Sequence, residues 1–143
     1  GLPNQRPRVF IVASRKPLAA RSLPDLPPRP LADFLDVTED EALYLRVETH
    51  TRHYQGLDLV TPGDRRSACF IGGYGRRFVG SGSFLQTERG VRRFSPTEVA
   101  RLHGLPEGFR FPESLSHEVR YRLLGNGLSI PVAAWALDHL LNR

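Results

Sequence analysis

Cys69 is the only cysteine among the 143 residues, so the chain cannot close an internal disulfide, and Cys69 lacks the companion thiols that a structural zinc site recruits. His50 and His53 stand three apart, as metal ligands can, but no third ligand follows at usable spacing. They are read as surface histidines, and no metal is expected. His103, His117 and His139 suggest no catalytic role. The glycines from Gly72 to Gly82 lack both the strand-to-helix GxGxxG context and the Gly-Lys-Ser/Thr of a nucleotide cradle, and suit a recognition loop better. What remains is cationic chemistry. Between Arg65 and Arg93 seven arginines stand against one acid, interleaved with glycine and aromatic residues. That pattern suits a surface that tracks phosphates, although a single-sign block can also be a merely solvated face. Within it Tyr74, Phe78, Arg76 and Arg77 form a cluster able to stack on an unpaired base or to pack as an ordinary loop.

The rest of the charge is distributed unevenly around that block. Residues 1–31 carry six Lys or Arg against one acid, 32–64 carry two against eight, and 94–143 carry five of each, for a net charge of +5. Lys16 is the sole lysine; the other cations are arginines, which favour planar, bidentate contacts. A 40% apolar and 24% charged composition reads as a globular domain with a real core. No apolar run is long enough to span a bilayer and no secretory signal leads the chain, so a cytoplasmic setting without membrane contact is expected.

The elements that must position these residues are legible in part. Turn chemistry at Gly1-Leu2-Pro3-Asn4 leads into Val9-Phe10-Ile11-Val12-Ala13, which reads as a strand buried on both faces. Such a strand needs neighbours, usually in a parallel sheet, and none precedes it; the edge looks cut from something larger. Five prolines between Lys16 and Pro30 predict an extended linker. A short helix is expected around Glu39 to Leu45, and short strands at Ala68 to Ile71 and Phe84 to Gln86. Ser95-Pro96-Thr97-Glu98 is a capping box with proline at the first helical position, and Gly104 closes that helix, with Val99 and Leu102 facing inward. Ser116 opens a helix that runs through Leu124 and stops at Gly125. Ser129 opens a last one from Ile130 to about Leu141, whose stripe of Val132, Trp135, Ala136 and Leu140 reads as core packing.

Three segments, in order, resemble the last motifs of the cytosine 5-methyltransferases. GLPNQRPRVFIVA resembles a Gln/Asn-x-Arg-x-Arg segment followed by a strand, with Asn4, Arg6 and Arg8 on the motif positions. RRFSPTEVARLHGLPEGFRFP resembles the segment that follows the target-recognition region, an Arg and then Thr/Ser-x-x-Glu leading to Gly-hydrophobic-Pro. RYRLLGNGLSIPVAAWAL resembles the closing motif, a Gly-Asn-Ser/Ala/Gly turn opening a helix. Between them, SACFIGGYGRRFVGSGSFLQT is similar to the recognition region of the branch that methylates aspartate tRNA. There a Cys-Phe-Thr tripeptide precedes Gly-Tyr-Gly; Cys69 and Phe70 match, and Ile71 departs from the threonine.

The resemblance implies a mixed α/β fold: the C-terminal edge of a Rossmann-like methyltransferase domain, residues 1–15 and 113–143, around a linker and small target-recognition region, 16–112. It implies S-adenosylmethionine as donor and tRNA as substrate, with DNA the alternative within the family and a non-catalytic nucleic-acid-binding module the alternative outside it. It places Arg8, with Arg6 beside it, on the target cytosine, unless one of them merely pairs with a structural carboxylate. Asn126 and Gly127 fall near the donor's methionine part; Asn126 also reads as a left-handed turn residue, and the two readings are compatible. Arg65, Arg66, Cys69, Phe70, Tyr74, Arg76, Arg77, Arg92 and Arg93 are the candidate nucleic-acid contacts. The chemistry itself needs a cysteine thiolate to attack carbon 6 of cytosine and a carboxylic acid at N3. In the family the nucleophile follows a proline and the acid sits in Glu-Asn-Val, both upstream of the segment matched at residue 1. Cys69 follows Ala68, so the chain alone is expected to be inactive and to act with an N-terminal catalytic half.

Overall fold

A computed structural model describes residues 1–19, 21–38 and 40–141. Helix α1 spans Val47–His53; strands β1, β2 and β3 span Asp58–Val60, Ser83–Thr87 and Gly90–Arg93; helices α2, α3 and α4 span Pro96–Leu102, His117–Gly125 and Ile130–Leu141. The three strands form one sheet in the order β1-β2-β3, with β1 parallel to β2 and β2 antiparallel to β3. A mixed α/β fold is therefore present. The β2-β3 hairpin turns at Glu88-Arg89, where the Thr87 hydroxyl accepts the Arg89 amide at 3.2 Å and donates to the Gly90 carbonyl at 3.1 Å. The parallel pairing of β1 with β2 leaves residues 61–82 as a long excursion between them, and this excursion carries the glycine-rich loop expected from the sequence to be a recognition loop.

The interior is aromatic. Phe70, Tyr74, Phe84, Phe94 and Tyr121 are buried together with Val99, Leu102 and Leu124, and Tyr74 meets Phe70 and Tyr121 edge-on at 5.0 and 5.2 Å. Buried phenols need partners. The Tyr74 hydroxyl donates to the Ser83 carbonyl at 2.6 Å and accepts the Phe94 amide at 3.0 Å, while the Tyr121 hydroxyl donates to the Phe94 carbonyl at 2.6 Å. Burial pushes both phenols above their usual range, so they act as fixed donors. Tyr121 and Leu124 of α3 belong to the same core as the recognition region, so the segments 16–112 and 113–143 share one interior.

Local signals set the helices. The Ser95 hydroxyl accepts the Glu98 amide at 3.0 Å and the Glu98 carboxylate accepts the Ser95 amide at 2.7 Å, which closes the capping box ahead of α2. Gly104, with φ 80°, follows the helix end, and Ser116 caps α3 through the Val119 amide at 3.4 Å. The expected helix at 39–45 is a single 3-10 turn, Glu41–Leu43; Glu39 lies outside the described residues.

Three expectations are corrected. Residues 9–13 form no strand, and Val9 and Ile11 are 89% and 90% exposed, because among the described residues no strand pairs with them. Ala68 to Ile71 is no strand either; the preceding Ser67 makes an isolated parallel bridge with Asn4, and the Ile71 amide donates to the Ser81 carbonyl at 3.0 Å. In α4 only Ala136 is buried; Val132, Trp135 and Leu140 are half-buried and Leu137 and Leu141 exposed, so the apolar stripe is incompletely covered. No helix among the described residues is long and apolar enough to cross a membrane.

Candidate functional site

The segments that carry the sequence resemblance come together in space around one side chain. Backbone pairing of Ser67 with Pro3 and Gln5, at 2.8 and 2.9 Å, lays the N-terminal segment beside the recognition loop. Arg6 then reaches inward. Its Nη1 donates to the Phe70 carbonyl at 3.1 Å and to Cys69 Sγ at 3.2 Å. Its Nη2 donates to the Gly125 and Gly127 carbonyls at 2.7 and 2.6 Å, and Nε donates to Gly127 at 3.1 Å. A planar guanidinium with five donors can satisfy acceptors on two sides at once, which an ammonium cannot. Gly125 makes the approach possible: a Cβ there would lie 2.0 Å from the Gly72 nitrogen and 2.3 Å from the Ile71 carbonyl carbon. The end of α3 thus rests directly on the backbone of the recognition loop.

With every nitrogen of Arg6 engaged by this chain, the expected cytosine contact does not fit Arg6. Arg8 is exposed, and its Nη1 donates only to the adjacent Pro7 carbonyl at 2.7 Å, which leaves it open to a ligand. Asn126 is also exposed. Its φ of −92° and ψ of −6° are right-handed, so the reading as a left-handed turn residue is wrong; Gly127 has no positive φ either. The asparagine is there as a C-cap whose amide bonds Arg122 at 3.2 Å, and its side-chain amide points to no partner among the described residues.

The basic block splits into two populations. Arg92 is a core residue: 2% exposed, it pairs with Glu98 through two contacts of 2.8 Å. The same Glu98 carboxylate accepts the Ser95 and Asp36 amides. Phe70 and Tyr74, 1% and 0% exposed, are likewise interior and cannot stack on a base. These three expected contacts are corrected by burial. Arg65, Arg66, Arg76 and Arg77 are exposed; Arg65 donates to the Pro28 carbonyl, Arg66 pairs with Asp58 at 3.0 Å and Arg76 with Glu118 at 3.2 Å. Arg93 is half-buried, lies over the Phe78 ring at 4.7 Å and donates to the Tyr74 carbonyl; burial lowers its pKa from the usual guanidinium value. Cys69 is half-buried against Arg6. His53 stacks on Phe78 at 4.8 Å, and the described residues hold no cluster of three metal-ligating side chains.

His103 was given no role by its sequence context, yet it is 2% exposed. Its Nδ1 donates to the Val99 carbonyl at 2.8 Å, and burial, the largest influence, pulls its pKa down while backbone hydrogen bonding to Val99 and Leu124 opposes it. It lines an apolar cleft with Leu105, Phe109, Phe111, Leu128 and Ile130. Its position just before the helix-closing Gly104, with Val99 one turn earlier, is the signal that could have marked it as interior.

The class of protein follows from this fold and these segments: residues 39–141 match the C-5 cytosine-specific DNA methylase family, and the chain belongs to it. Within that family it is 38% identical over 137 residues to the tRNA (cytosine(38)-C(5))-methyltransferase of Bos taurus, a match covering 77% of this chain and 35% of that protein. The enzyme of the same name from Homo sapiens is 37% identical, with the same coverage. A DNA (cytosine-5)-methyltransferase of Dictyostelium discoideum is 31% identical over 126 residues, 75% of this chain and 33% of that protein. The chain spans about a third of the length of these curated relatives. Among solved structures, the Dnmt2 methyltransferase of S. pombe superposes with a TM-score of 0.74 at 27% identity, covering 80% of this chain and 42% of that one. The Entamoeba histolytica methyltransferase EhMeth shares the fold, with a TM-score of 0.81 at 21% identity over 99% of this chain and 50% of its own.

Proposed function

We propose that the chain is the substrate-reading part of an S-adenosylmethionine-dependent cytosine 5-methyltransferase that acts on tRNA, and that it completes a donor site whose nucleophile and acid come from outside these 143 residues. The observation that carries this reading is the Arg6 junction, which sets the recognition loop against the Gly125-Asn126-Gly127 turn while Arg8 and Asn126 stay exposed beside it. S-adenosylmethionine supplies the electrophilic methyl group when bound. Asn126 suits its amino-acid end, because an exposed carboxamide both donates and accepts. Gly127, held by Arg6 through its carbonyl and by Leu124 through its amide, fixes the turn beside it. Arg8 holds the target cytosine once it has left its stack, since carbon 5 is out of reach inside a stacked helix. Arg65, Arg66, Arg76, Arg77 and Arg93 follow the phosphates. Cys69 is not assigned as the nucleophile: it follows Ala68 where the family's catalytic cysteine follows a proline, and its half-buried sulfur accepts from Arg6 within the junction.

The tRNA preference draws on the relatives named for tRNA cytosine methylation at 37% and 38% identity. DNA is the second reading, favoured by the Dictyostelium relative. Mixing the chain with a separately produced half bearing the Pro-Cys and Glu-Asn-Val motifs, a tRNA transcript and radiolabelled donor tests the proposal. Label at carbon 5 of cytosine, in the mixture only, is the expected result. Methyl transfer by the chain alone would overturn it, as would its absence from a mixture in which the halves associate and bind tRNA.

A further inference from the structure

We propose that Arg6 is a positioning residue: it locks the Cys69–Gly72 loop and the Gly125–Gly127 turn into one body, so that engaging RNA at the loop stiffens the turn beside Asn126. The ligand at the loop rests on the function proposed above; the lock itself does not.

The two edges of the guanidinium serve different segments. Nη1 faces the loop, through Cys69 Sγ and the Phe70 carbonyl, whereas Nε and Nη2 face the turn, through the Gly125 and Gly127 carbonyls. None of these acceptors is a carboxylate. Three are backbone carbonyls, and that of Gly125 belongs to the last residue of α3, where the helix leaves its carbonyls without internal donors and its dipole favours a cation. Arg6 therefore answers a need of the α3 terminus and a need of the loop with the same planar group. Beneath it the two backbones touch, Gly125 on Ile71 and Gly72, so neither can shift without displacing the other. Movement of the loop along a bound nucleic acid is transmitted to the turn by contact and held there by Arg6. A lysine at this position would keep the charge but could not fork to both sides.

Site-resolved amide exchange on the full chain tests this. Three amides report: Ile71, bonded to the Ser81 carbonyl at 3.0 Å; Gly127, bonded to Leu124 at 2.9 Å; and Leu45, bonded to Val91 at 2.8 Å, as a control beside β3. In the native chain Ile71 and Gly127 should open together. Arg6→Ala should speed exchange at both by at least about tenfold while leaving Leu45 unchanged. Should Arg6→Ala also unprotect Leu45, Arg6→Lys decides: loss at Gly127 with Leu45 retained supports the lock, and uniform loss or none overturns it. A second arm adds an unmodified tRNA transcript. Protection of both Ile71 and Gly127 in the native chain, but of Ile71 alone in Arg6→Lys, is expected; protection of Gly127 surviving in Arg6→Lys overturns the coupling. If the native chain binds no tRNA, the proposed function falls while the first arm still judges the lock.

Discussion

Replacing Gly125 with alanine puts a methyl group where there is no room. Its Cβ would sit 2.0, 2.3 and 2.5 Å from the Gly72 nitrogen, the Ile71 carbonyl carbon and the Gly72 Cα, all backbone atoms that cannot swing aside. Restoring carbon contacts of about 3.5 Å requires α3 and the loop to part by roughly 1–1.5 Å. That movement strains the Gly125 carbonyl away from Arg6, now 2.7 Å distant, and loosens Tyr121 from the Phe94 carbonyl. Overpacking costs about 1–3 kcal/mol and a hydrogen bond to a charged group about 1.5–3 kcal/mol, whereas the gain in helix propensity from Gly to Ala is at most about 1 kcal/mol. The balance is a destabilisation of roughly 1.5–5 kcal/mol. Urea unfolding followed by far-ultraviolet circular dichroism measures it, with Gly108→Ala as control, since a Cβ at Gly108 meets nothing within 4 Å. A Gly125→Ala chain as stable as the native one would refute the close-approach argument.

The buried pair and the buried imidazole give two further tests. Arg92→Leu leaves the Glu98 carboxylate interior with only the Ser95 and Asp36 amides, and should cost about 3–5 kcal/mol in thermal or urea unfolding; Arg92→Leu/Glu98→Gln should recover part of that, and a neutral single variant would contradict the core assignment. Burial lowers the folded-state pKa of His103 below the ordinary imidazole value of 6.5, so the unfolded chain binds more protons as pH falls through that value. Its contribution is fully present above that pH and is lost toward the lower folded pKa, with a slope of at most about 1.4 kcal/mol per pH unit. His103→Gln should flatten that slope below about pH 6.5 in urea unfolding; a His103→Gln chain that loses stability on acidification below this pH as steeply as the native one would contradict it.

Local signals were readable from the sequence because their partners lie within a few residues. Ser95 and Glu98 close a box across one turn, and Ser116 and Gly125 bound α3 as their types demand. Non-local ones were not. Val9 to Ala13 has strand composition, but a strand exists only where another backbone pairs with it, and none among the described residues does. Arg92 sat in a basic block and read as a phosphate contact; its pairing with Glu98 shows that the motif's arginine and glutamate serve each other. Phe70 and Tyr74 have the types that stack on bases, and the same ring area equally fills a core. Arg6 was legible as a motif residue, while the carbonyls it binds, more than sixty residues away for the loop and further for the turn, carry no side-chain signature at all.

The claim that this chain reads tRNA is tested most directly by equilibrium competition. Labelled tRNA transcript bound to the native chain is displaced by unlabelled tRNA or by duplex DNA at about 150 mM salt, and the comparison is repeated across a salt series because phosphate contacts alone are salt-steep and unselective. The account predicts that tRNA displaces at a concentration at least about tenfold below duplex DNA at every salt, and that Arg77→Glu weakens both while Arg8→Ala weakens tRNA more. Equal displacement by tRNA and DNA across the series would contradict it.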